Sequence, residues 1–387
     1  MDRNELFYRD PCRRAFDARV LSCTEEDGRW AVVLDDTAFY PEGGGQSADR
    51  GTLGAARVLD VQRRDGVILH YTDRPLPAGC AVHGELDWTR RFDHMQQHSG
   101  EHIVSGLIHR AFGLNNVGFH LGDVVTIDFD GVITWEDALA VERQANEVVW
   151  ADRETVISWP SPEELARIDY RSKKALAGAV RLVEFPGADR CACCGTHVAR
   201  TGEIGAVKLL SLMRHRGGVR LTLLCGRRAM AYLDGLYDGT AAAAQALSAK
   251  PADIAQAVAR EKEQAADLRR RLAESQQRYF RLLAETLPES LLAVRFEEGL
   301  SPWDLRKGAE LLAASGRARA VLLCSGGDGQ YSYVLMSGGC DVRPLGKALN
   351  EALRGRGGGK DAVQGRYGAS EADIRRAAAA LAPQYLS

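Results

Sequence analysis

The chain has 387 residues, 45% hydrophobic and 26% charged, with a formal net charge of −2. That is enough for two or three soluble globular domains, and no apolar run is long enough to span a bilayer. Near-neutrality excludes a global field that would draw the chain onto nucleic acid, so any such contact must use local basic patches. The start, Met1-Asp2-Arg3-Asn4-Glu5, is charged and lacks the apolar stretch of a secretory signal. Nine scattered cysteines, an odd number, fit a reducing compartment with thiols buried or metal-bound. A cytoplasmic protein is expected.

Residues 1–90 read as a small β-barrel. Short apolar runs, Arg29-Trp30-Ala31-Val32-Val33-Leu34 and Gly66-Val67-Ile68-Leu69-His70-Tyr71, are separated by turn signals such as Glu26-Asp27-Gly28. Within them lies Phe39-Tyr40-Pro41-Glu42-Gly43-Gly44-Gly45-Gln46. Three glycines let the backbone turn sharply and approach a ligand closely. Glu42, Gly43, Gly44, Gly45 and Gln46 are therefore candidate substrate-binding residues.

Residues 91–240 read as a mixed α/β domain. A helix carrying Ile103, Leu107 and Ile108 on one stripe should run to about Phe112, with Gly113 just past its end. His98 and His102 lie on it at i and i+4, so both imidazoles share one face. The spacing predicts a strand over 124–129, a helix over 135–150, and paired strands over 205–210 and 219–224 around a basic turn. Before those strands comes Cys193-Cys194-Gly195-Thr196-His197. With the histidine pair it completes a tetrahedral nitrogen and sulfur set for zinc, His98, His102, Cys193 and His197.

From about Ala252 to Leu287 a long helix is expected, ended by Pro288. Its apolar seam (Ile254, Val258, Leu268, Leu272, Tyr279, Leu283) suits pairing of two protomers or packing within the chain. It forms the centre of a linker, 241–288. Residues 289–387 read as a compact α/β unit with strands over 320–324 and 331–336. Near its end, Gly357-Gly358-Gly359-Lys360 lies among Arg354, Arg356 and Arg366, a loop that can bring amides and cations to phosphates. Other basic patches are Arg13-Arg14, Arg63-Arg64, Arg90-Arg91 and Arg269-Arg270-Arg271.

Three motifs in this order, Phe39 to Gln46, Met95-Gln96-Gln97-His98-Ser99-Gly100-Glu101-His102 and Cys193 to Val198, resemble the alanyl-tRNA editing proteins (AlaX family, long form). They also resemble the editing region of alanyl-tRNA synthetase. The glycine stretch behind a long helix resembles that synthetase's C-terminal domain. The resemblance implies an α+β fold: a barrel-like N-terminal domain, a zinc-bearing editing domain and a C-terminal domain for tRNA binding or dimerisation. It implies hydrolysis of the ester in mischarged tRNA(Ala), carrying serine or glycine, with no aminoacylation domain. His98, His102, Cys193 and His197 match the family's zinc ligands. Cys194 stands where the synthetase usually has glycine, which leaves open which sulfur binds.

Glu101 and His120 are the candidate catalytic residues, placed to position water or a seryl hydroxyl. Two rival readings remain. His98-Ser99-Gly100-Glu101-His102 also reads as the H-x-x-E-H of a zinc peptidase, with Glu101 as base. A non-catalytic tRNA-binding module with structural zinc would use the same residues.

Overall fold

The computed structural model describes residues 5–172 and 179–386. The charged start at 1–4 lies outside them. The chain divides into two compact units, 1–240 and 241–387, and the architecture is α+β.

In the first unit a short helix α1 (Leu6–Arg9) precedes six strands: β1 (Ala15–Glu26), β2 (Arg29–Leu34), β3 (Gly51–Leu53), β4 (Ala56–Arg64), β5 (Val67–Thr72) and β6 (Ala81–Leu86). They close into a barrel of order β1-β2-β5-β4-β3-β6. Asp27-Gly28 and Asp65-Gly66 make the tight hairpin turns, all four residues at positive φ, as two-residue turns between right-twisted strands require. Phe16, Val20, Val32, Phe39, Leu53, Val58 and Val61 fill the interior.

The barrel also buries a histidine. His70 Nδ1 donates to Val32 O at 3.0 Å, which leaves Nε2 to accept from the Thr37 hydroxyl at 2.8 Å. Both bonds suit the neutral ring.

Helix α2 (Trp88–Phe112) leaves β6 at once. Asp87 caps it by accepting from Arg90 N, and Gly113 ends it at φ 69°. Arg91 ties the helix back to the barrel. Its Nε bonds both Asp49 oxygens at 3.0 and 2.9 Å, and its other nitrogens reach Pro11 O and Ala38 O at 2.8 and 2.6 Å. Both partners are fully buried, so the Arg90-Arg91 patch is half structural. Arg63 and Arg64 are likewise spent on Glu5 and Glu26.

Beyond α2 come β7 (Asn116–Leu121), β8 (Val125–Phe129), α3 (Trp135–Trp150), β9 (Val156–Ser158), α4 (Pro162–Leu165), β10 (Leu182–Phe185), β11 (Asp189–Ala192), β12 (Val207–His215), β13 (Gly218–Cys225) and α5 (Gly226–Ala246). A four-stranded antiparallel sheet has the order β12-β13-β8-β7, and a three-stranded one β11-β10-β9. Helices α2 and α3 share one core with these strands. Two glycines let α2 lie close: a Cβ at Gly100 would stand 2.2 Å from Cys225 Sγ, and one at Gly106 would stand 2.5 Å from Ala188 O.

The second unit has α6 (Ile254–Thr286), β14 (Ser290–Glu297), α7 (Pro302–Ala314), β15 (Ala318–Gly327), β16 (Gln330–Met336), α8 (Arg343–Ala352), β17 (Arg356–Gly358), β18 (Val363–Tyr367) and α9 (Glu371–Tyr385). The sheet order is β14-β15-β16-β18-β17, with β14 parallel to β15. Two residues of the stretch read as a phosphate loop, Gly357 and Gly358, lie in this sheet, and Gly359 and Lys360 follow it. Gly357 pairs with Gly365 across β17 and β18, and a Cβ at Gly365 would stand 2.1 Å from Arg356 O. On α6, Phe280 and Ala284 pack into the core beside α7, whereas Val258, Leu268, Leu272, Tyr279 and Leu282 are exposed. Among the described residues no helix is long and apolar enough to cross a membrane.

Burial lowers His70 to about 4. The unfolded chain therefore binds a proton that the folded barrel does not between the ordinary histidine value and about 4. Stability should be fully present above pH ~6.5 and fall by up to about 3 kcal/mol as pH drops to ~4. Urea unfolding across that range should show the loss, and His70→Gln should reduce it, the remainder coming from His94 and His197, which burial also holds low.

Candidate metal centre

Helix α2 and the loop after β11 bring four side chains together. The donor atoms of His98, His102, Cys193 and His197 all lie within 4.8 Å of one another. The three imidazoles are buried. Cys193 Sγ is 3.5 Å from His98 Nε2 and 3.4 Å from His197 Nε2. A tetrahedral ion with bonds of about 2.0–2.1 Å to nitrogen and about 2.3 Å to sulfur would hold such a pair about 3.5 Å apart. Cys194 is not in the cluster; its carbonyl accepts from the Tyr8 hydroxyl at 3.0 Å.

Each ring is oriented through its other nitrogen. His98 Nδ1 donates to Gln46 Oε1 at 3.0 Å, His102 Nδ1 to Asp189 Oδ2 at 2.9 Å, and His197 Nδ1 bonds Ser99 Oγ at 3.2 Å. With Nδ1 engaged, Nε2 is the free donor on all three rings, the arrangement that metal-binding histidines need. Arg171 in turn grips both Asp189 oxygens at 2.7 and 2.9 Å. Gln46 Oε1 also accepts from Thr196 N at 3.1 Å, and its Nε2 donates to Thr196 Oγ1 at 2.8 Å. Phe119 stacks on His98 with centroids 5.1 Å apart. Gly195 is required where it stands, since a Cβ would lie 2.2 Å from the His98 ring.

The electrostatics point the same way. Burial alone would raise the Cys193 thiol, but the three facing imidazoles outweigh it and hold it well below its ordinary value. Burial opposes a proton on His102, yet the Cys193 sulfur and the Asp189 carboxylate outweigh it and push the ring up to about 10. Burial pushes His197 down to about 3. The cluster is thus a thiolate facing imidazole nitrogens and calling for positive charge, which a divalent cation supplies better than a proton. The residues present fit a metal ion.

Residues 180–221 match the family model of the threonyl and alanyl tRNA synthetase second additional domain. Residues 14–90, the barrel, match that of the class II (A) tRNA synthetases. The mouse alanyl-tRNA editing protein Aarsd1 is 30% identical, over 99% of this chain and 98% of its own length. The chain belongs to the alanyl-tRNA editing protein family. The alanine–tRNA ligase of Pyrobaculum neutrophilum is 36% identical over 94% of this chain, yet the chain spans only 42% of that ligase. The C-Ala domain of Aquifex aeolicus alanyl-tRNA synthetase aligns with 26% of the chain and 96% of its own length, at 19% identity and a TM-score of 0.23, too loose an overlap to carry an argument.

The other sequence candidates fall in three places. Glu101 is buried with its Oε1 accepting from Ser105 Oγ at 2.6 Å and from Asn116 Nδ2. It is not one of the four clustered donors. His120 does not join the cluster. It is exposed on β7 opposite Thr126, on the strand face away from Phe119 and near Asp128, because alternate residues of a strand point to opposite sides. In the glycine turn, Gly44 and Gly45 are exposed at positive φ, Gly43 is half-buried, and Glu42 is exposed. Gln46 is turned inward and fully buried, so its amide serves the histidine and the loop.

In the second unit, Gly357, Gly358 and Gly359 line an open cavity of about 650 Å³ with Arg343, Lys347 and Arg356. Lys360 is exposed outside that lining. Sequence reasoning missed Arg343 and Lys347, which helical spacing alone would have placed on one face of α8. It also missed Asp189 and Ser99, for which no local pattern exists.

Gly195→Ala should displace His98 and remove bound metal while leaving the fold intact. Elemental analysis beside far-ultraviolet circular dichroism checks this.

Proposed function

We propose that the chain is a trans-acting editing hydrolase that removes serine, and secondarily glycine, from mischarged tRNA(Ala). The observation that carries this is the half-buried Cys193 sulfur and three buried, oriented imidazoles converging on one point, in a chain of the alanyl-tRNA editing family. We assign the ion as zinc, because three nitrogens and one sulfur at tetrahedral reach suit it better than any hard cation. His98, His102, Cys193 and His197 would hold it. When bound, it supplies fixed positive charge that can draw the ester carbonyl or order the substrate's side chain.

The chain's own residues do the positioning. Gln46, Asp189 and Ser99 fix the three rings. Glu101, Ser105 and Asn116 form a buried polar group beneath them, and we assign Glu101 to ordering the pocket. A partner for the seryl hydroxyl, left unpaired by alanine, can be worth ~10⁴-fold in discrimination. For the tRNA body we assign Arg343, Lys347 and Arg356 with the three glycines, which let phosphates approach the backbone.

One observation favours the second reading, a tRNA-binding module with structural zinc: the four clustered donors would be enough to fill a tetrahedral shell and leave no open position. Metal content and deacylation, measured on the same preparation, separate the two. The expected result is about one zinc per chain and hydrolysis of Ser-tRNA(Ala) at least ~10²-fold faster than of Ala-tRNA(Ala). Chelation and His98→Ala should remove metal and activity together. Equal rates on both substrates would overturn selective editing. Full metal and bound tRNA with no hydrolysis would establish the second reading.

Replacing Arg343, Lys347 and Arg356 together by Gln should weaken tRNA binding and flatten its salt dependence by about one unit of slope per lost phosphate contact. Binding titrations at several salt concentrations read this directly.

A further inference from the structure

Three consecutive carbonyls of the Cys193 loop are held from outside the loop. Arg181 Nη1 donates to Cys193 O and Gly195 O, both at 2.9 Å. Between them, the Tyr8 hydroxyl donates to Cys194 O at 3.0 Å. The guanidinium lies over the Tyr8 ring, 5.1 Å from its centroid, so the two holders brace one another. Tyr8 meets Phe7 edge-on, and Phe7 meets Tyr40 at 5.6 Å. The Tyr40 hydroxyl reaches Gly43 O at 3.1 Å. A continuous line of contacts therefore runs from the glycine turn to the thiolate.

Arg181 is 1% exposed, and its Nε and Nη2 have no partner among the described residues. A buried cation with idle donors is costly and persists only where something offsets it. Here its bonded donor is spent on the backbone of the loop that carries Cys193. A loop needing only to be tethered could use an uncharged donor. A loop presenting a thiolate gains from a cation bonded to its own backbone.

We propose that Arg181 and Tyr8 are positioning residues for the metal centre. Together they set the backbone from Cys193 to Gly195 so that Sγ faces the three imidazoles, and through Tyr8 the segment ahead of the barrel governs how tightly the loop keeps its ion. This rests on the metal reading above, and the test keeps the two separable.

The full-length chain is loaded with Co²⁺ as a spectroscopic probe, and its release to a chelator is followed by the thiolate-to-cobalt absorption. Tyr8→Phe, which removes one hydroxyl and keeps the ring, should release Co²⁺ about 10-fold faster, and Arg181→Met up to about 100-fold faster, as for other groups that orient metal ligands. Arg181→Lys, which keeps the charge, should recover part of the loss. The double variant Tyr8→Phe with Arg181→Met should cost less than the product of the two singles, because each braces the other. If Tyr8→Phe and Arg181→Met both release Co²⁺ at the wild-type rate with an unchanged spectrum, the clamp is overturned. If the wild-type chain shows no thiolate-to-cobalt band, the metal reading fails and the clamp with it.

Discussion

Each of the three clustered imidazoles has one nitrogen committed to a protein partner, and that commitment aims the other. Gln46, Asp189 and Ser99 take the Nδ1 atoms, so three Nε2 lone pairs and the Cys193 sulfur have a single point in common. An imidazole free to flip would present either nitrogen, and the site would be a statistical one. The partners come from three places: the turn inside the barrel, the start of β11, and α2 itself. Orientation of the rings is thus a property of the first unit as a whole.

That dependence explains the packing around α2. The helix begins one residue after the barrel's last strand and is fastened to it by the buried Arg91–Asp49 pair. Such a pair gains little net stability over apolar residues, but its geometry admits one placement of the helix against the barrel. Gly100 and Gly106 let β13 and the turn before β11 approach the same helix. Gly195 does the converse, letting the metal loop come against His98. The close contacts fall on the helix that carries two of the donors.

Local signals in the sequence specify the elements around the site. The end of α2 at Gly113, the span of α3 and the hairpin of β12 and β13 follow from caps, periodicity and turn residues. The four donors followed from two i, i+4 pairs. What escaped was long-range. Asp189 bonds a histidine 87 residues away, and any of many carboxylates could have done so. Strand alternation turns Phe119, and not its neighbour His120, toward His98. The glycine stretch near the C-terminus read as a loop because glycine disfavours strands. Its Gly357 and Gly358 pair as a strand because β17 and β18 approach each other too closely for side chains at Gly357 and Gly365.

The donors His98 and Cys193 are separated by 95 residues. At ~5–20 residues per second, the histidine half of the site leaves the ribosome roughly 5–20 s ahead of the cysteine half. Two imidazoles on a nascent helix are an unselective chelate open to several transition metals. The soft sulfur that disfavours hard cations arrives only when the domain is nearly complete. Any ion taken up early would have to be exchanged or retained on thermodynamic merit once the sulfur is in place, so the finished fold, and not the order of synthesis, would decide which metal stays.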